Sequence, residues 1–299
     1  MSDATLPSVP KLDTPPPTGQ PIVLHPLVTR VLAPNPSPFT FTGTQTHIVG
    51  RAEGAVAVID PGPESPEHLD AILAAVEGRT VSHIVITHHH RDHSPLSRPL
   101  AERTGAPIVG AKPFHLSDDG PRSDAAFDTD YAPARVLAEG DTIAGDGWTL
   151  EAIETPGHTS NHLAFALPEA EALFSGDHVM GWSTSVVSPP DGDMTAYMAS
   201  LEKLLGRGER VYYPGHGLEI ENPQRLVRGL LGHRRQREGQ IRRLLAEGVG
   251  AVPAMVERMY AGLDPRLFPA AQRSVLAHLI DMERRGMAAR DGESWAASG

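Results

Sequence analysis

The chain has 299 residues, 26 basic against 37 acidic side chains, a formal charge of −11 and no cysteine. That length can bury one sizeable core with an appendage, and the lack of thiols excludes disulfides, sulfur nucleophiles and sulfur-ligated metal. No run of about 18 apolar residues marks a membrane span and the N-terminus lacks the pattern of a secretory signal, so a cytoplasmic address without membrane partners is expected. The acidic excess argues against wholesale coating by nucleic acid, although a local basic patch survives any net charge.

Residues 1–38 hold ten of the 28 prolines. Proline fixes φ and removes a donor, so this segment reads as an extended arm with one edge strand around Ile22 to Val31. Short β-rich runs follow at Thr46–Val49 and Ala55–Ile59, joined by a glycine-flanked turn and ending in Asp60-Pro61-Gly62-Pro63. Ser65 caps a helix that starts with Pro66 and carries Leu69, Ile72, Leu73 and Val76 on one face. The run Val81–Ile86 is apolar on successive residues, as in a strand covered on both sides. A helix over Pro95–Arg103 and a strand over Pro107–Gly110 come next, and 112–134 reads as an acidic loop with Asp118, Asp119, Asp124, Asp128 and Asp130. Further strands are predicted at Thr149–Glu154, His162–Leu167, Ala172–Ser175 and Val211–Tyr213, with a helix over Met194–Leu205 before the last. Strands mixed with helices indicate a layered α/β or α+β domain.

From Asn222 the character changes. Arg225–Leu245 is a long amphipathic helix, or two, and further helices are predicted over Pro253–Tyr260 and Ala270–Arg285. Residues 222–248 carry a local charge of +5, against −16 over 1–221. The parse is an arm at 1–38, a catalytic domain at 39–221 and a small helical domain at 222–299.

Chemistry gathers at four strand ends. The first is Thr87-His88-His89-His90-Arg91-Asp92-His93, too densely coordinating to be a packing feature. In an extended chain residues two apart share a side, so His88 and His90 can grip one ion while Asp92 and His93 present to a neighbouring position. The second is Thr155-Pro156-Gly157-His158-Thr159-Ser160, the third Ser175-Gly176-Asp177-His178, and the fourth Tyr213-Pro214-Gly215-His216-Gly217. His88, His90, His93, His158, His216, Asp92 and Asp177 are seven candidate ligands. A single tetrahedral ion takes about four including water, so seven suit two ions. With no cysteine, zinc is expected and iron or manganese remains open.

The set THHHRDH, TPGHTS, SGDH and YPGHG resembles the metallo-β-lactamase-fold hydrolase superfamily over about residues 39–221. The resemblance implies an αββα sandwich of two mixed sheets with the site along one edge. It assigns His88, His90 and His158 to one ion, Asp92, His93 and His216 to the other, and Asp177 to a bridge. Asp60 matches the strand-end aspartate that supports the ligands. His162 and His178 are further candidates for that role, a core or surface role being the favoured reading of both. The stretch Gly181–Asp193 and the C-terminal helices resemble the lactamase-beta-2-like subgroup, which adds a winged-helix-like domain, although Pro95-Leu96 stand where that subgroup has glycines.

Two ions about 3.5–4 Å apart would lower the pKa of a shared water and polarise an electrophile, so a metal-bound hydroxide is the expected nucleophile, with Asp92 orienting it or taking its proton. The expected substrate is a small-molecule ester, thioester or lactam, because the acidic body repels polyanions. The 38 residues between Asp177 and His216 also leave no room for the inserted domain of the superfamily's nucleic-acid-cleaving branch. The alternative is a single-strand-directed endoribonuclease, with Arg234, Arg235 and Arg237 tracking phosphates; less favoured is a binding module that has lost its chemistry. The oligomeric state is not legible.

Overall fold

The computed structural model describes residues 14–113 and 127–298; the first 13 residues and most of the acidic loop, including Asp118, Asp119 and Asp124, lie outside them. The first sheet contains β1 (Pro21–His25), β2 (Val28–Leu32), β3 (Gln45–Val49), β4 (Val56–Ile59), β5 (Val81–Ile86), β6 (Ile108–Gly110) and β7 (Arg135–Val136), in that spatial order. It is antiparallel from β1 to β4 and parallel from β4 to β7. The first two parallel steps are bridged by α1 (Pro66–Ala75) and α2 (Ser97–Thr104), as parallel neighbours require a crossover. The second sheet runs β12 (Val211–Pro214), β11 (Ala172–Gly176), β10 (Leu163–Leu167), β9 (Trp148–Glu154), β8 (Thr142–Gly145). Only β11 and β12 are parallel there, and α3 (Met194–Leu205) connects them.

The two sheets face each other over Ile59, Val85, Val109, Leu150, Phe165 and Phe174. α1 and α2 cover the outer face of the first sheet through Ile72 and Leu100. On the outer face of the second, α3 and the start of α4 (Pro223–Ala246) do the same through Tyr197, Leu201, Val227 and Leu230. The result is the αββα sandwich. Ser65 caps α1 by accepting from His68 N, and Gly105 ends α2 at φ 72°, a left-handed position where glycine carries no Cβ penalty.

Residues 21–32 form more than an arm with one edge strand. β2 pairs with β1 on one side and β3 on the other, and Val28, Val31 and Leu32 are buried. The proline argument fails locally because Pro21 and Pro26 fall at a strand start and in the turn, leaving Val28–Leu32 proline-free.

The basic helix is one continuous rod. Its first half packs on the second sheet, while Ile241, Leu244 and Leu245 enter a separate core with Met255, Val275 and Trp295. That core also takes in α5 (Val252–Met259), α6 (Phe268–Arg284) and the hairpin β13 (Ala288–Asp291) and β14 (Ser294–Ala297). Three helices with a terminal hairpin make the winged-helix domain. The hairpin had no expectation from sequence, since its four-residue strands are short, alanine-rich and mostly exposed.

Candidate metal centre

The carboxyl ends of β5 and β9, with β11 and β12, all open on one edge of the sandwich. β5 ends at Ile86, and Thr87 is pinned at once: its backbone N–H donates to Asp60 Oδ1 at 2.8 Å and its hydroxyl to Oδ2 at 2.7 Å. Leu163 N–H donates to Thr87 O at 2.8 Å, tying the first sheet to the second here. Gly157 permits the turn that delivers His158, with φ 137° and the backbone of Tyr197 so close that a Cβ would stand 2.3 Å from its Cα.

Among the described residues three groups of ligand atoms result, each spanning no more than 4.8 Å: His88, His90 and His158, then Asp92, His93, Asp177 and His216, and behind them Asp60 with His88 and His93. Within the first, His90 Nδ1 lies 3.0 Å from His88 Nε2 and 3.1 Å from His158 Nε2. Within the second, His216 Nε2 lies 3.2 Å from His93 Nε2 and 3.1 Å from Asp92 Oδ2. Asp177 reaches both of these groups. Its Oδ1 is 3.4 Å from His93 Nε2, and its Oδ2 is 3.4 Å from His216 Nε2 and 3.7 Å from His158 Nε2. Bonds of about 2.0–2.2 Å around a tetrahedral ion separate neighbouring donors by roughly 3.3–3.6 Å, so the spacings fit a shared cation.

The far side of the imidazoles fits as well. His93 Nδ1 meets Asp60 Oδ2 at 2.9 Å, His158 Nδ1 meets Val186 O at 2.7 Å, and His216 Nδ1 meets Gly43 O at 3.2 Å. With Nδ1–H donating to those oxygens, each Nε2 presents a lone pair to the centre, the tautomer a metal requires. His88 Nδ1 contacts Thr87 Oγ1 at 3.0 Å. Asp177 Oδ1 is buried without a hydrogen-bond partner.

Electrostatics splits the first two groups. Burial, reinforced by the neighbouring His158, pushes His90 down to about 3 and keeps it neutral. For His216 burial is outweighed by Asp177 and Asp92, and its pKa rises to about 9; His93 is raised well above the ordinary value for the same reason. Asp92 and Asp177 are held below the usual carboxylate range, the pull of His93 and His216 exceeding the cost of burial. The carboxylates therefore demand positive charge at the second group, which a divalent cation supplies.

Of the other expected residues, Asp60 sits behind His93 and Thr87, as described. His178 does not: its ring packs at 4.8 Å on Tyr197 and neither nitrogen has a partner. The side chain of His162 fills that place, its Nδ1 2.8 Å from Thr155 Oγ1 and its Nε2 accepting from Asp177 N at 3.1 Å. His162 immediately precedes β10 and His178 follows β11, and the sequence holds no signal to say which of the two reaches the ligands. His89 points away and stacks on Phe127 at 5.0 Å.

Arg234 corrects an expectation. It is 3% exposed, donates to Ser185 O and lies 5.0 Å from the centroid of Tyr197, so it is not on the outer face of the helix, where a nucleic-acid backbone would run. Burial on the α3 side wins because position 234 lies on the apolar stripe of α4, one turn on from Leu230 and Leu231. Arg237 covers Tyr260 at 4.2 Å and donates to Met259 O; Arg235 is exposed and paired with Glu202 at 3.1 Å.

Above the ligands lies a cleft of about 610 Å³ whose lining includes His90, Asp92, His158, Asp177 and His216. Its walls are Phe39, Phe127, Met180 and Val186 from the sandwich and Pro269, Ala270 and Arg273 from α6. The winged domain thus completes the site, a contribution with no local sequence signal.

The profile of the metallo-beta-lactamase superfamily matches residues 40–216. The chain belongs to the metallo-beta-lactamase superfamily. The beta-lactamase associated winged helix domain matches residues 251–295. Among similar proteins is an atrochrysone carboxyl ACP thioesterase of Aspergillus fumigatus, 30% identical over 98% of this chain and 91% of that one. The beta-lactamase-like protein 2 homolog of Drosophila melanogaster is 32% identical over 87% and 88%. A beta-lactamase domain protein from Burkholderia ambifaria shares the fold across 97% of both chains at TM-score 0.79 and 20% identity. As a metallo-beta-lactamase superfamily member with this donor set, the protein is a metal-dependent hydrolase.

Proposed function

We propose that the protein hydrolyses a small-molecule thioester at a binuclear centre, with zinc as the resident metal. The observation that carries this reading is Asp177, whose two oxygens face the three-histidine group and the Asp92–His93–His216 group at once. His88, His90 and His158 would hold one ion, Asp92, His93 and His216 the other, and Asp177 both. Bound there, the ions would supply Lewis acidity and a water acidified toward neutrality.

The chain's own residues have distinct tasks. Asp60, Val186 O and Gly43 O fix the tautomers of His93, His158 and His216. Asp92, less buried than the other ligands of its group and on the cleft floor, is the group placed to orient the attacking water and take its proton. Phe39, Phe127, Met180 and Val186 exclude bulk water from the acyl carbon. Among ester, thioester and lactam, the thioester is favoured by the thioesterase 30% identical across nearly the whole chain. The reading of RNA as partner loses support, since Arg234 is buried and Arg237 is engaged within its own domain.

Metal analysis after purification without chelator should give two ions per chain. Acetyl thioester, lactone, chromogenic β-lactam and labelled single-stranded RNA should be assayed side by side with His90→Ala as blank. Thioester turnover lost in that variant is expected. Fewer than one ion per chain with no recovery on adding zinc or manganese would overturn the binuclear reading, and RNA cleavage lost in the blank would replace the substrate.

A further inference from the structure

A second cleft, of about 450 Å³, opens between the sandwich and the winged domain. Pockets of some hundreds of Å³ are the size that encloses a small molecule. Its walls are apolar, chiefly Leu226, Leu230, Tyr260, Leu263 and Leu267, and it is continuous with the metal cleft, because Phe39, Met180, Val186 and Ala270 line both. The junction is tied to the metal centre: Val186, whose carbonyl holds His158, is one of the shared residues.

The unmet hydrogen bonds of this cleft have one polarity. Trp182 Nε1 and Arg234 Nε are buried N–H groups without an acceptor. His233 Nε2 accepts from Arg237 Nε at 3.2 Å, and burial keeps the ring neutral with a pKa of about 4; its proton therefore sits on Nδ1, which is also buried and unpaired. Buried donors are rarely left alone in native proteins. All three belong to residues that line this one apolar cleft, and no lining residue has an orphaned side-chain acceptor, so the ligand group that complements them is an oxygen.

We infer that this interdomain cleft holds the acyl chain of the substrate, an apolar chain bearing carbonyl or hydroxyl oxygen, whose reacting carbonyl lies over the metal ligands. The inference rests on the thioester reading for the reaction, but the cleft's occupancy can be tested without turnover. Among the chain's three tryptophans, Trp148 is buried between the sheets, Trp295 lies in the winged core, and only Trp182 lines this cleft. Its fluorescence reports a ligand there.

The holoenzyme should be titrated with acetate, decanoate and 9-oxodecanoate while tryptophan emission is followed, with Trp182→Phe as the silent control. N-acetylcysteamine thioesters of acetate and decanoate should be assayed in parallel. Leu263→Trp fills the cleft, and Leu267→Trp on the adjoining turn serves if the first does not fold. Expected are quenching by the two long acids but not by acetate, and at least threefold tighter binding of the oxo acid. The decanoyl-to-acetyl ratio of kcat/KM should fall at least tenfold in the filled variants. Long acids that leave Trp182 unperturbed, or a ratio within twofold of the parent in a folded variant, would overturn the assignment; equal binding of the two long acids would remove its oxygen. Absence of any thioester turnover alongside intact decanoate quenching would sink the thioester reading and leave the cleft standing.

Discussion

Asp60 Oδ2 lies 2.9 Å from His93 Nδ1 and accepts from Thr87 Oγ1 at 2.7 Å, so one carboxylate sets both the ring of a ligand and the backbone from which the histidine stretch departs. An amide in its place presents an N–H donor toward His93 in one of its two orientations and releases Thr87 in the other. Asp60→Asn should weaken, about 10–100-fold, the ion that His93 is proposed to hold. Competition with a chromogenic chelator measures this, and unchanged retention of both ions would refute the role.

Gly215 offers a way to disturb the ligands while sparing the fold. A Cβ there would lie 2.6 Å from Asp177 Oδ1 and 2.7 Å from His93 Cε1. Gly215→Ala should displace two ligands at once and cut thioester turnover by roughly two orders of magnitude, as a misplacement of about 1 Å does. Circular dichroism should stay that of the parent, while metal content falls below two ions.

Arg234 is a joint between the layers. Removing it forfeits a charged hydrogen bond to Ser185 O and the face of Tyr197, and Arg234→Met should cost about 2–3 kcal/mol in urea unfolding. Arg235→Ala, which breaks only the exposed pair with Glu202, should stay within about 1 kcal/mol. Neither should change the mobility of single-stranded RNA in a gel.

Acid should destabilise the fold through buried histidines that are not candidate ligands. Burial lowers His278 to about 3 and His68 to about 4 from an ordinary 6.5, so the unfolded chain takes up protons that the folded one refuses. Stability is full above about pH 6.5 and declines as pH falls toward 4 and then 3. Between pH 6.5 and 5 each should cost on the order of 1–2 kcal/mol. Urea midpoints across that range should fall, and His278→Leu should flatten the slope; an unchanged slope would refute this.

The sandwich was legible because its signals are local: alternating or continuous apolar runs, Ser65 before Pro66, and Pro-Gly turns that each hand over a histidine. The residue positions of the seven candidate ligands followed from the same strand-end grammar. What stayed hidden depends on partners distant in sequence. β2 needed β3 to become interior, Arg234 needed Tyr197 and Ser185 to become buried, and the choice of His162 over His178 depended on where β9 and β11 converge. The wing hairpin is short and alanine-rich, with Trp295 its one strong strand former, so it does not announce itself.

Every candidate ligand lies at or before residue 216, whereas α6 closes the cleft from residues 269–273. The chain thus writes its reactive chemistry and its fit to the substrate in separate stretches, joined by one rod, α4, that belongs to both cores. On the thioester reading, a chimera that takes its last 60 or so residues from a relative would inherit that relative's preference among acyl groups while leaving the candidate metal ligands untouched.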